Sequence, residues 1–122
     1  MAIKFYARVK DTVASAPGLG NVTLSGVAPA GFRTFSSILL TGDLFYYCME
    51  EQTPGSWEVG KGLWLGSHQF QRLEVTGSSN ANVMVNFASA AMDCFMTVPG
   101  DFLNEVWVNG RVFAARMGCD MP

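Results

Sequence analysis

The chain has 122 residues, a formal charge of −2, 49% hydrophobic and 15% charged residues. This excludes intrinsic disorder, which requires low hydrophobicity and high net charge, and fits a single domain able to bury a core. The basic residues look scattered along the chain, which argues against a nucleic-acid partner, and no run approaches the ~18 apolar residues of a membrane span.

Taken in chain order, short runs broken by glycine and proline read as strands. Residues 3–10 (IKFYARVK) alternate as a first strand, and the pattern is not that of a signal peptide. The product is therefore expected to stay in the cytoplasm where it is made. A turn-rich loop leads to 21–26 (NVTLSG), a strand with Val22 and Leu24 on one face. Residues 32–40 (FRTFSSILL) read as a strand or a short helical turn. An aromatic strand over 44–50 (LFYYCME) turns through 52–56 into 57–65 (WEVGKGLWL), where Gly60 and Gly62 signal a bulge or a close backbone approach.

Residues 69–76 (QFQRLEVT) alternate, with Phe70, Leu73 and Val75 apolar and a phase slip at Arg72. Strands are also expected over 82–88 and 92–98. The sharpest local signal is Asn109-Gly110 between Val106-Trp107-Val108 and Val112-Phe113, a type I′ hairpin pattern. No long 3.6-residue period occurs. The fold class is all-β, a single-domain antiparallel β-sandwich or barrel, jelly-roll-like, of about nine or ten strands. Residues 1–99 form its core and 100–122 a hairpin and tail extension of the same domain.

Few residues suggest chemistry. The single histidine, His68, sits in a turn and reads as solvated, and no HExxH or phosphate-binding loop occurs. Cys48, Cys94 and Cys119 are widely spaced and form no CxxC pair, so buried free thiols are expected rather than a metal site. Asp43, Glu50, Glu51 and Glu58 approach one another in sequence, which raises Ca²⁺ binding or paired-carboxylate chemistry, but a solvated acidic loop is the simpler reading. No catalytic residue, cofactor or metal ligand is assigned. Aromatic residues line the predicted strands, and Trp57, beside a turn, is the one most expected to be exposed.

Read together, several motifs resemble a family of small virion proteins of tailed bacteriophages. They are Arg8-Val9-Lys10-Asp11-Thr12, Thr23-Leu24-Ser25-Gly26 and Gly31-Phe32-Arg33-Thr34-Phe35. Tyr46-Tyr47-Cys48 and Trp57-Glu58-Val59-Gly60-Lys61-Gly62 follow. Arg72, Ser78-Ser79-Asn80, Val85-Asn86-Phe87 and Asp93-Cys94-Phe95-Met96-Thr97-Val98-Pro99 complete the set. The likeness spans residues 7–99 in order. Three segments depart from it: 14–19 lacks the family's glycine-rich loop, 88–93 loses a glycine and a lysine, and 100–122 runs past the family's usual end.

The resemblance implies a non-catalytic structural component located in the virion. It would sit on the particle exterior as capsid decoration or cement, or in a fibre, neck or tail appendage. Its partners would be further copies of itself, as a homotrimer, and other virion proteins. The tentative interface residues are Trp57 and, in the extension, Trp107, Asn109, Gly110, Phe113, Met117 and Cys119. The alternative is a β-module that reads host-surface glycan through exposed tyrosine and tryptophan; exposure of Trp57 and Trp64 decides between them.

Overall fold

The computed structural model describes residues 3–52, 55–90 and 92–98. Seven strands form one sheet: β1 (Ile3–Lys4), β2 (Lys10–Thr12), β3 (Val22–Thr23), β4 (Leu44–Glu51), β5 (Trp57–Gly66), β6 (Gln69–Ser78) and β7 (Met92–Met96). The order is β2-β7-β4-β5-β6-β3, antiparallel throughout, with β1 pairing in parallel with the start of β4. The all-β expectation holds. The sheet curls strongly into a half-barrel. Its two outermost strands touch where Val13 bridges Leu24. There the Ala14 N–H donates to the Thr23 carbonyl and the Ser25 N–H to that of Thr12, both at 2.8 Å.

The meander β4-β5-β6 is the backbone of this shell. Phe45, Tyr47 and Met49 point inward from β4, and Trp64 and Phe70 from β5 and β6. The β5-β6 turn has positive φ at Ser67 and His68, the two central residues of a tight hairpin. A short 3₁₀ turn, Phe35–Ser37, drives Phe35 into the barrel end. Its ring lies 5.4 Å from that of Phe45 and 6.2 Å from that of Trp64. Phe70 completes the cluster at 5.1 Å from Phe45 and 5.0 Å from Tyr47.

Several expected strands are shorter, and the causes are physical. The first is broken into β1 and β2 because Arg8 takes φ +63°, outside the β region. Only Val22–Thr23 of the 21–26 run is strand, although Val22 and Leu24 are both buried as expected. Of the two readings of 32–40, the short helical turn is the one that forms. Residues 82–88 do not form a strand: only Phe87 makes an isolated bridge, to Gly18. Side chains take the backbone groups that a neighbouring strand would use, since the Val85 N–H donates to Glu58 and the Val85 carbonyl accepts from Arg72.

On β6 the inward residues are Phe70 and Arg72, whereas Leu73 is 44% exposed. The apolar set of Phe70, Leu73 and Val75 is thus not one buried face. Register shifts between Val59 and Gly60 and between Lys61 and Gly62 re-phase the strand. The Asn109-Gly110 hairpin lies outside the described residues.

Gly60 and Gly62 show why bulges fall here. A Cβ on Gly60 would collide with the Glu74 carbonyl oxygen and lie 2.7 Å from the Tyr47 hydroxyl. A Cβ on Gly62 would lie 2.9 Å from the Phe45 ring. Gly60→Ala is therefore expected to destabilise the fold by about 2–4 kcal/mol in urea unfolding. Gly20→Ala, where the nearest atom lies at an ordinary 3.5 Å, should change it little. Equal effects would contradict the packing described.

Candidate functional site

Among the described residues a densely hydrogen-bonded polar constellation lies inside the shell. Glu58 projects inward from β5 and Arg72 from β6, and their side chains are 0% and 1% exposed. The Arg72 Nη1 donates to Glu58 Oε1 at 3.1 Å and to Oε2 at 3.3 Å. Tyr47 donates its hydroxyl to Glu58 Oε2 at 2.6 Å, and the Val85 N–H donates to Oε1 at 2.8 Å. The guanidinium also donates to the carbonyls of Gly18, Gly20 and Val85 at 2.6, 3.1 and 3.0 Å. Every oxygen of the carboxylate is thus satisfied, which is the condition for a buried charge pair.

Burial, and then the neighbouring carboxylate, hold the Tyr47 phenol far above its ordinary range, so it remains a donor. A carboxylate, a phenol and a guanidinium in contact are reactive types. Here they are enclosed, and their partners are backbone groups of two loops.

The four acids that are close in sequence do not converge. Glu58 is in the core, Asp43 accepts from the Leu40 N–H at 2.9 Å, Glu50 faces outward, and Glu51, also expected in a solvated loop, is buried at the end of β4. The reading of Glu58 as part of a solvated loop is corrected, because inward parity on β5 buries it. Among the described residues no group of three or more His, Cys, Asp or Glu is placed to hold a metal ion. Asp11 is a second buried acid that sequence reasoning missed. It accepts from the Thr12 N–H at 2.7 Å, the Ser25 hydroxyl at 2.6 Å and the Gly26 N–H at 3.1 Å, locking β2 to the chain after β3.

His68 is half-buried rather than solvated. Its ring packs against Gly26, and its Nδ1 is buried without a hydrogen-bond partner. Cys48 and Cys94 are free thiols, the second in the core.

Of the predicted interface set, Trp57 opens β5, lies over Gly77 and is 41% exposed. Trp107, Asn109, Gly110, Phe113, Met117 and Cys119 lie outside the described residues. Trp64 is 2% exposed, buried by its own chain against Phe35 and Phe45. Tyr46 and Tyr47 are buried as well. The aromatic platform expected for glycan reading is thus largely core.

The outer surface carries a feature invisible in the linear order. Val9 and Arg33 form a parallel bridge, which brings Arg8, Lys10, Phe32 and Arg33 together. The Arg8 guanidinium stands 4.2 Å above the Phe32 ring and the Lys10 ammonium 5.4 Å from it, and Arg33 stands 5.7 Å from the Tyr6 ring. The basic residues are less scattered in space than in sequence. Compared with known proteins, the chain matches no family model, no curated protein and no solved structure.

Two outcomes test this geometry. Arg72→Ala, which strands a buried carboxylate, is expected to cost about 3–5 kcal/mol in equilibrium unfolding, and the double variant Glu58→Leu/Arg72→Met to cost less than that single change. A double variant at least as damaging would contradict the coupling. Burial, and then the charge of Glu50, push the Cys48 thiol up to about 11. Alkylation of Cys48, followed residue by residue by mass spectrometry, should therefore be slow at pH 8 and still climb with pH well past the ordinary thiol range of about 8.5. A rate that levels off near that ordinary value would contradict it.

Proposed function

We propose that this protein is a non-catalytic structural component of a tailed-phage virion. It docks on the particle exterior, as capsid decoration or as part of a fibre, neck or tail appendage, through self-association and contacts with other virion proteins. The observation that carries this reading is what the motif residues do. Asp11, Ser25 and Gly26 join β2 to β3. Glu58, Arg72 and Val85 form the buried charge network. Gly60 and Gly62 admit the Tyr47 and Phe45 side chains.

Ser78, Ser79 and Asn80 organise the turn after β6. Ser78 donates its hydroxyl to the Val83 carbonyl at 2.5 Å, and Ser79 accepts from the Trp57 N–H at 3.0 Å. Many of the residues that carry the family likeness thus build the shell, while Arg8, Lys10, Phe32, Arg33 and Trp57 remain at its surface. A pattern made largely of fold-determining residues is what a structural module requires. The low charge fraction supports it, because such a surface loses few solvated ions when it is covered.

The glycan-reading alternative keeps Trp57, which is 41% exposed, but loses Trp64 and Tyr46, which are buried. Sedimentation equilibrium of the purified chain is the direct test of self-association. A homotrimer predicts a mass three times the 13.2 kDa of one chain; a strict monomer at high concentration contradicts it.

A further inference from the structure

The cationic and aromatic residues around the Val9–Arg33 bridge border two open cavities that meet at Met96. One, of about 430 Å³, is lined by Tyr6, Ala7, Met96, Thr97 and Val98 among others. The other, of about 380 Å³, is lined by Arg8, Lys10, Phe32, Glu50, Phe95 and Met96, with Val9 beneath. Together they make a groove with Phe95, Met96 and Val98 on its floor and the Arg8 guanidinium in its lining, while Arg33 lines neither cavity and stands beside them over Tyr6.

Both guanidinium groups are held in place. Arg8 has φ +63°, a conformation that is costly for a residue with a side chain. It directs the guanidinium over Phe32, with Nε donating to the Gly31 carbonyl at 3.1 Å. Arg33 donates to the Ala7 carbonyl and stands over Tyr6. Guanidinium planes fixed on rings lose little freedom when they meet a carboxylate, and their fork geometry matches one.

We propose that this groove binds an extended acidic segment of a partner polypeptide, its carboxylates meeting Arg8 and Arg33 and its apolar side chains seated on Phe95, Met96 and Val98. Three features favour a peptide. Glu50 lines the groove and Asp93 holds Lys10 at 3.7 Å, so the cations left for an anion are few and flanked by acid, which suits a segment with spaced carboxylates better than a strand with a phosphate at every step. The Phe32 and Tyr6 rings already carry cations, which leaves less ring face for stacking a sugar. An apolar floor beside fixed charges suits the alternating side chains of an extended chain. The inference rests on the reading of the protein as a docking component, and it names the chemistry of what docks.

The test is fluorescence anisotropy with a labelled (Glu-Leu)₃ peptide on the full chain at low salt. A (Lys-Leu)₃ peptide, an oligothymidylate and a hyaluronate hexasaccharide are run beside it. Saturable binding of the acidic peptide alone is expected, weakening with added salt and falling about tenfold in Arg8→Gln or Arg33→Gln. Glu50→Gln, an exposed site that leaves the shell untouched, should tighten binding, which keeps the test decisive if an arginine variant folds poorly. No binding, equal binding of the lysine peptide, preference for the oligonucleotide or the hexasaccharide, or a Glu50→Gln change in the opposite direction each overturns the proposal. Sedimentation of the same samples separates the two claims. A trimer that ignores the peptide refutes the groove alone, and a monomer that binds it supports the groove and refutes self-association.

Discussion

The buried ion pair of Glu58 and Arg72 is the interaction on which the shell depends. Among the described residues the single curled sheet has no second sheet to close it, so its mouth is stopped by loops. Loops carry unpaired backbone groups, and burying those costs free energy unless each finds a partner. Arg72 supplies donors to the carbonyls of Gly18, Gly20 and Val85, and Glu58 supplies an acceptor to the Val85 N–H. The pair thereby joins two segments distant in sequence to the centre of the sheet. Two further bonds, between Gly18 and Phe87 at 2.9 and 3.2 Å, finish the closure.

Such a pair is not chiefly a source of net stability, because removing two charges from water offsets most of their attraction. Its effect is on which loop geometry is allowed. A charge left unmatched in the core is costly, so alternatives that move Gly18 or Val85 away are penalised. Tyr47 depends on the same arrangement. Its hydroxyl reaches Glu58 across a strand only because Gly60 has no side chain in the way. Two glycines opposite bulges of β6, one phenol and one ion pair are thus a single device, and the aromatic cluster around Phe35 and Phe70 packs beside it.

Much of the shell is legible in the sequence. Alternation and turn residues locate β4, β5, β6 and β7 almost to the residue, since these strands are long and their turns carry glycine or short polar loops. Gly60 and Gly62 announce their bulges. Where reading along the chain fails, a long-range partner decides. Arg72 registers only as a phase slip in an apolar pattern, because the Glu58 that its side chain reaches on the neighbouring strand is fourteen positions away. Residues 82–88 look like a strand by composition, yet a carboxylate and a guanidinium take the backbone groups of Val85. A charged residue at an inward-facing position of a strand, next to glycines on its neighbour, is the signal that would have found the network. The groove has no such local signal: Arg8 and Phe32 meet only through the Val9–Arg33 bridge.

The functional reading follows from the same division. Among the described residues many motif side chains close the shell, while Arg8, Lys10, Phe32 and Arg33, which belong to the same motifs, stand outside it as a fixed group of cations and rings. Native-state hydrogen exchange of the full chain tests the closure most directly. If Glu58 and Arg72 hold the loops to the sheet, the amides of Val85, Gly18 and Phe87 should exchange only through global unfolding, as slowly as those of β5. Fast exchange at Val85 and Gly18 while β5 stays protected would mean that the loops open independently, and would contradict the account.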